Sequence, residues 1–259
     1  MQFFIPPWLF ALMLFLGMLL FLEIGRRVAL IALAKESEGE RGNLGIIEGA
    51  VFALFGLLMA FTFSGSATRF NEKRMLIAEE VNTIETAYLR VILVPQEAQT
   101  PLQELFRKYV DSRIETYRRL PDMKAAESEM AESKRLQHEI WTEANAATRL
   151  PNGHPDAGKL LLPALNNMID MATTRTMALQ QHPPGIIYAL LFILGLICSG
   201  LAGYRMANDK HRSWLHILGF TVMTMIIVYV ILDIEYPRAG FIRLAGSEQM
   251  MLDVRQNMK

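Results

Sequence analysis

The sequence has almost no cysteine and no excess charge of either sign. Cys198 is its only cysteine, and the formal net charge is zero. A single cysteine excludes a disulfide within the chain, and its position in an apolar run indicates a structural thiol. A neutral chain has no overall electrostatic attraction to nucleic acid.

Motifs of catalysis are missing as well. The chain contains no Gly-x-Ser-x-Gly, no phosphate-binding loop and no His-Glu-x-x-His. The histidines have no metal-ligand spacing: His138, His154, His182, His211 and His216. We therefore expect neither an enzyme nor a protein with a metal ion or cofactor.

Charged residues are absent from several long segments of the chain. Residues 1–22 and 185–204 carry none, and 214–232 carries only His216. Each apolar run is close to the roughly 20 residues that a hydrocarbon core requires. The predicted spans are Ile5–Leu22, Ile46–Ser66, Gly185–Tyr204 and Trp214–Leu232.

The segment between the second and third spans is charged, helical in its periodicity and without any strand pattern. Apolar residues recur there at spacings of three and four, as in a coiled coil or bundle: Ile77, Val81, Ile84, Tyr88 and Val91. We predict an all-α polytopic membrane protein with four transmembrane helices and a helical-bundle insertion between spans two and three. Its predicted parts are a transmembrane hairpin (1–66), a soluble bundle continuous with span two (67–184), a second hairpin (185–235) and a C-terminal tail (236–259).

Span two is predicted to continue into the insertion as one helix from Ile46 to Val94, because no proline interrupts it. Small residues recur along its membrane part: Gly49, Ala53, Gly56, Ala60 and Ser64. Span three repeats the pattern with Gly195, Ser199 and Gly203. Such faces let helices approach closely in lipid, either within the chain or between subunits around an axis. In the second case the neighbouring Phe52, Met59 and Phe63 are candidates for a hydrophobic gate.

Ionisable residues flank the spans on the side of the insertion. Arg69, Asp233, Glu235 and Arg238 are expected to form a charged cluster at the membrane edge. It could be a salt-bridge network that fixes helix ends, or the mouth of an ion pathway. Glu79 and Asn82 share a helix face, which fits either a cation site or a solvated surface.

The number of basic residues near the span ends does not decide the orientation, because there are seven on each face. Arg26 and Arg27 come after an uncharged N-terminus, which favours placing that loop in the cytoplasm and the insertion in the periplasm. We therefore expect a multi-pass protein of a bacterial inner membrane.

The segments FTFSGSATRFNEKRMLIAEEVNTIETAYLR and LDIEYPRAGFIRL resemble those of bacterial bestrophin-like membrane proteins, a family defined by a domain of unknown function. The matching positions are Arg69, Arg74, Glu80, Asn82, Tyr88, Arg90, Asp233, Pro237, Arg238 and Gly240. The family name implies an anion channel of pentameric type. No residue here is matched to the bestrophin calcium clasp or aromatic neck.

Two functions remain open at this point. The first is a homo-oligomeric ion channel with span two near the pore, whose partners are the lipid bilayer and inorganic ions. The alternative is a non-conducting scaffold or sensory subunit whose helical insertion binds a partner. The number of subunits and the course of span two distinguish them.

Overall fold

The computed structural model describes residues 5–32, 40–119, 122–208, 214–236, 241–242 and 245–258. Within these ranges the regular structure is helical and contains no strand, so the all-α prediction is confirmed for them. The α-helices are α1 (Pro7–Ala32), α2 (Glu40–Leu89), α3 (Gln96–Arg119), α4 (Met123–Ala147), α5 (Ala157–Gln180), α6 (Gly185–Arg205), α7 (Trp214–Glu235) and α8 (Ala245–Asn257).

Four of the described helices, α1, α2, α6 and α7, are long and apolar enough to cross a membrane. They correspond to the four predicted spans. Helix α1 continues past the predicted end at Leu22, and α2 begins before the predicted start at Ile46. Helix α2 has 50 residues and no internal proline, so it extends about 75 Å at ~1.5 Å per residue. A short 3₁₀ turn, Arg90–Leu93, follows it.

One compact unit comprises Met1–Phe70 and His182–Ile242. In it α1 packs against α6 and α7, with a core that includes Leu14, Met18, Phe55, Leu191, Val228 and Leu232. Helices α1 and α6 approach so closely that a Cβ on Gly25 would lie 1.9 Å from the carbonyl oxygen of Gly200. A Cβ on Gly203 would lie equally close, 1.9 Å, to the carbonyl oxygen of Leu22. Glycine is therefore required for this pair of helices to meet backbone to backbone.

A second compact unit comprises Asn71–Gln181 and Arg243–Lys259. Helix α3 packs against α4 and α8, and α4 packs against α5. The core includes Ile84, Val91, Phe106, Tyr109, Ile140, Leu161 and Met168, so the predicted apolar seam of α2 faces inward. Helix α4 starts at a side-chain cap, because Asp122 accepts hydrogen bonds from the backbone N–H groups of Lys124 and Ala125.

Helix α8 belongs to this second unit, whereas the sequence led us to treat 236–259 as a separate tail. Its apolar face places Met251, Val254 and Met258 in the core. Arg255 also forms a two-pronged ion pair with Asp111 of α3, at 2.7 and 3.1 Å. Helix α8 has only 13 residues, too few for its apolar spacing to reveal this packing from the sequence.

Candidate functional site

One half of the membrane part of α2, which we call the open half, is exposed in the described residues of the protomer. Phe55, Thr62 and Ser66 are buried on one side of the helix. The opposite side carries the small residues Gly49, Ala53, Gly56, Ala60 and Ser64, all of which are exposed. A Cβ built on Gly49 or Gly56 would meet no atom within 4 Å. The small-residue face of α2 is thus exposed, and no other described helix covers Gly49 or Gly56.

The small residues of α6 have the opposite environment. Gly195, Ser199 and Gly203 are all buried in the first unit. A Cβ on Gly195 would lie 3.2 Å from Leu14 and 3.5 Å from Phe55. These residues lie at contacts between helices of one protomer, so the two small-residue patterns occupy different surroundings.

The three gate candidates on α2 also differ in how far they are buried. The ring of Phe52 lies 5.7 Å from the ring of Phe220 on α7, centroid to centroid. Met59, like Phe52, is half-buried against the core of the first unit. Phe63 is 43% exposed, and it lies at the border between the buried side of α2 and its open side. Of the three, Phe63 is therefore the one that another molecule or an ion path could meet.

At the membrane edge, Arg69 and Glu235 form the contact that the sequence suggested. Glu235 is fully buried and accepts from Arg69 Nε at 3.0 Å and from Nη2 at 2.7 Å. Arg69 Nη2 also donates to Ser66 Oγ at 3.2 Å. A two-pronged guanidinium–carboxylate pair fixes both distance and orientation, so it ties the exit of α2 to the end of α7.

His182 is a further member of this cluster that the sequence did not identify. Its Nδ1 lies 3.2 Å from Glu235 Oε1, and its ring stacks on Tyr236 at 4.6 Å. His182 precedes two prolines just before α6, at the same membrane edge as Glu235. That position next to the third span is the signal in the sequence that marks His182, whereas the spacing between histidines does not.

Asp233 does not join Arg69. Its Oδ2 accepts hydrogen bonds from the backbone N–H groups of Phe241 and Ile242, each at 3.1 Å. Asp233 is 1% exposed and holds the segment that follows α7. Arg238, the fourth predicted member, lies outside the described residues.

The second unit contains a buried ion cluster that the sequence did not predict as a site. Glu80 of α2 is paired with Arg113 of α3 at 2.6 Å and with Arg175 of α5. Arg113 also donates to the hydroxyl of Tyr117 at 2.5 Å, and the guanidinium of Arg175 lies 3.6 Å from the centroid of that ring. Burial alone would lower the pKa of Arg113, but its interactions with Tyr117 and Glu80 more than offset this, and the pKa is raised above its ordinary value.

The neighbouring pair Glu79 and Asn82 is exposed. Among the described residues, no group of three or more His, Cys, Asp or Glu side chains is arranged to hold a metal ion. The buried acid of this helix is therefore Glu80, one residue away from the pair that the sequence singled out.

Comparison with known proteins adds the family. The model of the bestrophin-like domain matches residues 42–247. The chain belongs to the bestrophin-like family. The bestrophin-like match covers most of α2, the whole second-unit insertion and the last two spans, so the resemblance suggested by the sequence is confirmed.

A solved structure has a similar fold. It is the crystal structure of a single-residue variant of a bacterial bestrophin homologue from Klebsiella pneumoniae, with a TM-score of 0.51 and 16% sequence identity. The alignment covers 93% of this chain and 98% of the homologue. A search of curated proteins found no match. The family match and the four long apolar helices together indicate a membrane protein.

Proposed function

We propose that the protein is a homo-oligomeric ion channel of a bacterial inner membrane, with α2 near the pore. The observation that carries the proposal is the open half of α2 in its membrane part. Anions are the expected permeant ions, as the bestrophin name implies. The second unit is proposed to form a vestibule on the periplasmic side.

The open half of α2 has two kinds of side chain next to each other. The small face of Gly49, Ala53, Gly56 and Ala60 lies beside a ridge of large apolar residues. That ridge consists of Leu54, Leu57 and Phe61, which are 54%, 52% and 67% exposed. A ridge on one copy can fill the small-residue face of the next copy, because close packing drives helix association in lipid.

A contact between two different surfaces of the same helix is heterologous, and a heterologous contact that closes gives a ring. A two-fold dimer would instead pack the small face on itself and leave the ridge in lipid. The adjacent small face and large ridge therefore favour a ring of more than two subunits. In such a ring, α2 is the span that contacts neighbouring copies.

Within this arrangement we assign the gate to Phe63. Its side chain lies at the edge of the open half of α2, whereas Phe52 and Met59 contribute to packing within the protomer. A ring of phenylalanines in a narrow path excludes water and stops ions by dewetting. The Arg69–Glu235 pair would hold α2 at the angle that places Phe63 toward the axis.

The test is ion flux in proteoliposomes that contain the purified full chain. We expect Phe63→Ala to raise the basal flux at least several-fold, because it removes the largest group at the constriction. Phe21→Ala on α1 is the matched control, since Phe21 has a similar exposure of 37% and should leave flux unchanged.

Two results would contradict the proposal. The pore is wrong if the wild-type protein passes no ions at any voltage, pH or calcium concentration tried, and the scaffold or sensory function then takes its place. The gate is wrong if flux occurs but responds equally to Phe63→Ala and Phe21→Ala.

A further inference from the structure

The chain passes between the two compact units at three places, which we call the crossings. They fall after Phe70 in α2, after Gln181 and after Ile242. The first-unit segments next to them are 66–70, 182–184 and 241–242. Side chains at the end of α7 contact all three of these segments.

Glu235 contacts the first two crossings. Its Oε2 accepts hydrogen bonds from Nε and Nη2 of Arg69, at 3.0 and 2.7 Å, one residue before the first crossing ends the unit. Its Oε1 lies 3.2 Å from Nδ1 of His182, which is the first residue after the second crossing. The Glu235 side chain is 0% exposed, and shielding from water strengthens such polar contacts.

Asp233 contacts the third crossing. Its Oδ2 accepts hydrogen bonds from the backbone N–H groups of Phe241 and Ile242, each at 3.1 Å. The ring of Phe241 also meets the ring of Tyr229 on α7 edge-on, with 6.3 Å between the centroids. The backbone that leads into the third crossing is therefore attached to the same helix.

The two carboxylates hold the end of α7 on two sides. Asp233 and Glu235 are two residues apart, so their side chains leave the helix about 200° apart. A two-pronged ion pair fixes orientation as well as distance, and the paired backbone hydrogen bonds of Asp233 do the same for the third segment. A tilt or rotation of this helix end must therefore displace all three crossings together.

We propose that the end of α7 is a coupling joint, a conformational device through which the spans and the second unit change conformation only together. Conformational changes pass between parts of a protein through rigid elements that are attached by discrete contacts. Here the rigid element is α7, and the contacts are those of Glu235 and Asp233. The joint does not depend on whether the protein conducts ions.

The first experiment measures the distance between two spin labels in the full chain, purified in detergent. Cys198→Ala removes the only cysteine, and Ile226→Cys on α7 with Thr173→Cys on α5 then provides the labels at exposed positions. With the joint intact, the pair should give one narrow distance distribution. Glu235→Leu removes the carboxylate while retaining an apolar side chain of similar size, so the narrow distribution should be lost and replaced by a broad one.

The contacts of Asp233 are tested with a second pair of labels. Ile226→Cys is combined with Met250→Cys, which is 36% exposed on α8. Asp233→Leu removes the acceptor of the two backbone N–H groups, so this second distribution should broaden. The joint is wrong if Glu235→Leu and Asp233→Leu both keep narrow distributions.

Glu48→Leu is the matched control. Glu48 is likewise a carboxylate paired with an arginine, Arg205, at 3.0 Å. That pair connects the beginning of the membrane part of α2 with the end of α6, so it involves none of the crossings. Both distributions should stay narrow in Glu48→Leu. Equal broadening in Glu48→Leu and Glu235→Leu would overturn the proposal, because any lost ion pair would then have the same effect.

A second measurement uses the wild-type protein, in case Glu235→Leu or Asp233→Leu does not fold. Hydrogen exchange is followed by mass spectrometry at increasing urea concentration, on α4 of the second unit and α6 of the first. If the joint couples the units, both helices should lose their protection at the same urea concentration. Separate midpoints for the two helices would contradict the joint. Neither measurement involves ion flux, so failure here is distinguishable from failure of the proposed channel.

Discussion

Removing Arg69 and removing Glu235 from their ion pair should destabilise the protein to different extents. The Glu235 side chain is 0% exposed and that of Arg69 is 28% exposed. Arg69→Gln therefore leaves a carboxylate buried, with Nδ1 of His182 still 3.2 Å from Glu235 Oε1. Glu235→Gln leaves an arginine that water can reach and an amide oxygen that can still accept. The two changes remove the same ion pair, but the first should cost more.

The magnitudes follow from the geometry. Removing one member of a buried pair costs about 3–5 kcal/mol, which we take as the upper bound for Arg69→Gln. A hydrogen bond to a charged group contributes about 1.5–3 kcal/mol. Since glutamine preserves part of the contact and Arg69 can hydrate, Glu235→Gln should cost only about 1–3 kcal/mol.

The assay is unfolding of both single variants and the double variant in the same detergent. The double variant should cost no more than Arg69→Gln alone, because it leaves no buried charge, and residues in contact are not additive. The reasoning is refuted if Glu235→Gln is the costlier change or if the two costs simply add.

Three further predictions concern the packing of each unit. Gly203→Ala should lower the free energy of unfolding by about 1–3 kcal/mol or more, because its methyl group overpacks against the backbone of α1. Gly56→Ala should leave the unfolding of the detergent-solubilised monomer unchanged. Comparing the Tm values of the two variants checks this. Met251→Ala should destabilise the second unit by about 2–5 kcal/mol, measured by denaturant unfolding. Arg255→Gln changes a partly exposed ion pair and should cost at most about 1 kcal/mol of stability. Equal losses of stability would show that α8 is not held by its apolar face. Burial raises the pKa of Tyr109, so this tyrosine ionises first in the unfolded chain, and stability falls as pH rises above the ordinary tyrosine pKa of about 10. Tyr109→Phe should lessen this alkaline loss of stability in a pH series of unfolding curves. An identical slope of stability against pH in the variant would contradict it.

The sequence was sufficient for features that depend on local periodicity. The four apolar runs, the proline-free continuity of α2 and the all-α class each follow from residues near one another in the chain. The family resemblance was also readable, because it rests on two contiguous segments around Arg69 and Asp233. Each of these features depends on residues that are close together in the sequence.

Pairing across the fold could not be read in the same way. Four charged residues near one membrane edge allow several pairings, and the choice between Asp233 and Glu235 as the partner of Arg69 depends on the rotation of α7. Glu80 and Glu79 are adjacent in sequence, yet a helix turns by about 100° per residue, which makes one a buried ion-pair acceptor and the other a solvated acid. The partners of Glu80 come from α3 and α5, and no local pattern marks Arg113 or Arg175 as buried.

The small-residue faces show the same limit. The patterns on α2 and α6 are alike in sequence, but Gly203 meets a backbone within the protomer and Gly56 meets nothing. Only the arrangement of the neighbouring helices distinguishes them. Because of that difference, we propose that α2 forms the contact between subunits.

The most direct test of the central claim is the structure of the protein in lipid nanodiscs, determined by electron cryo-microscopy. The proposal predicts a closed ring of more than two copies, in which the open half of α2 contacts the next copy and Phe63 faces the central axis. A monomer, or a dimer closed on the small face of α2, would contradict it.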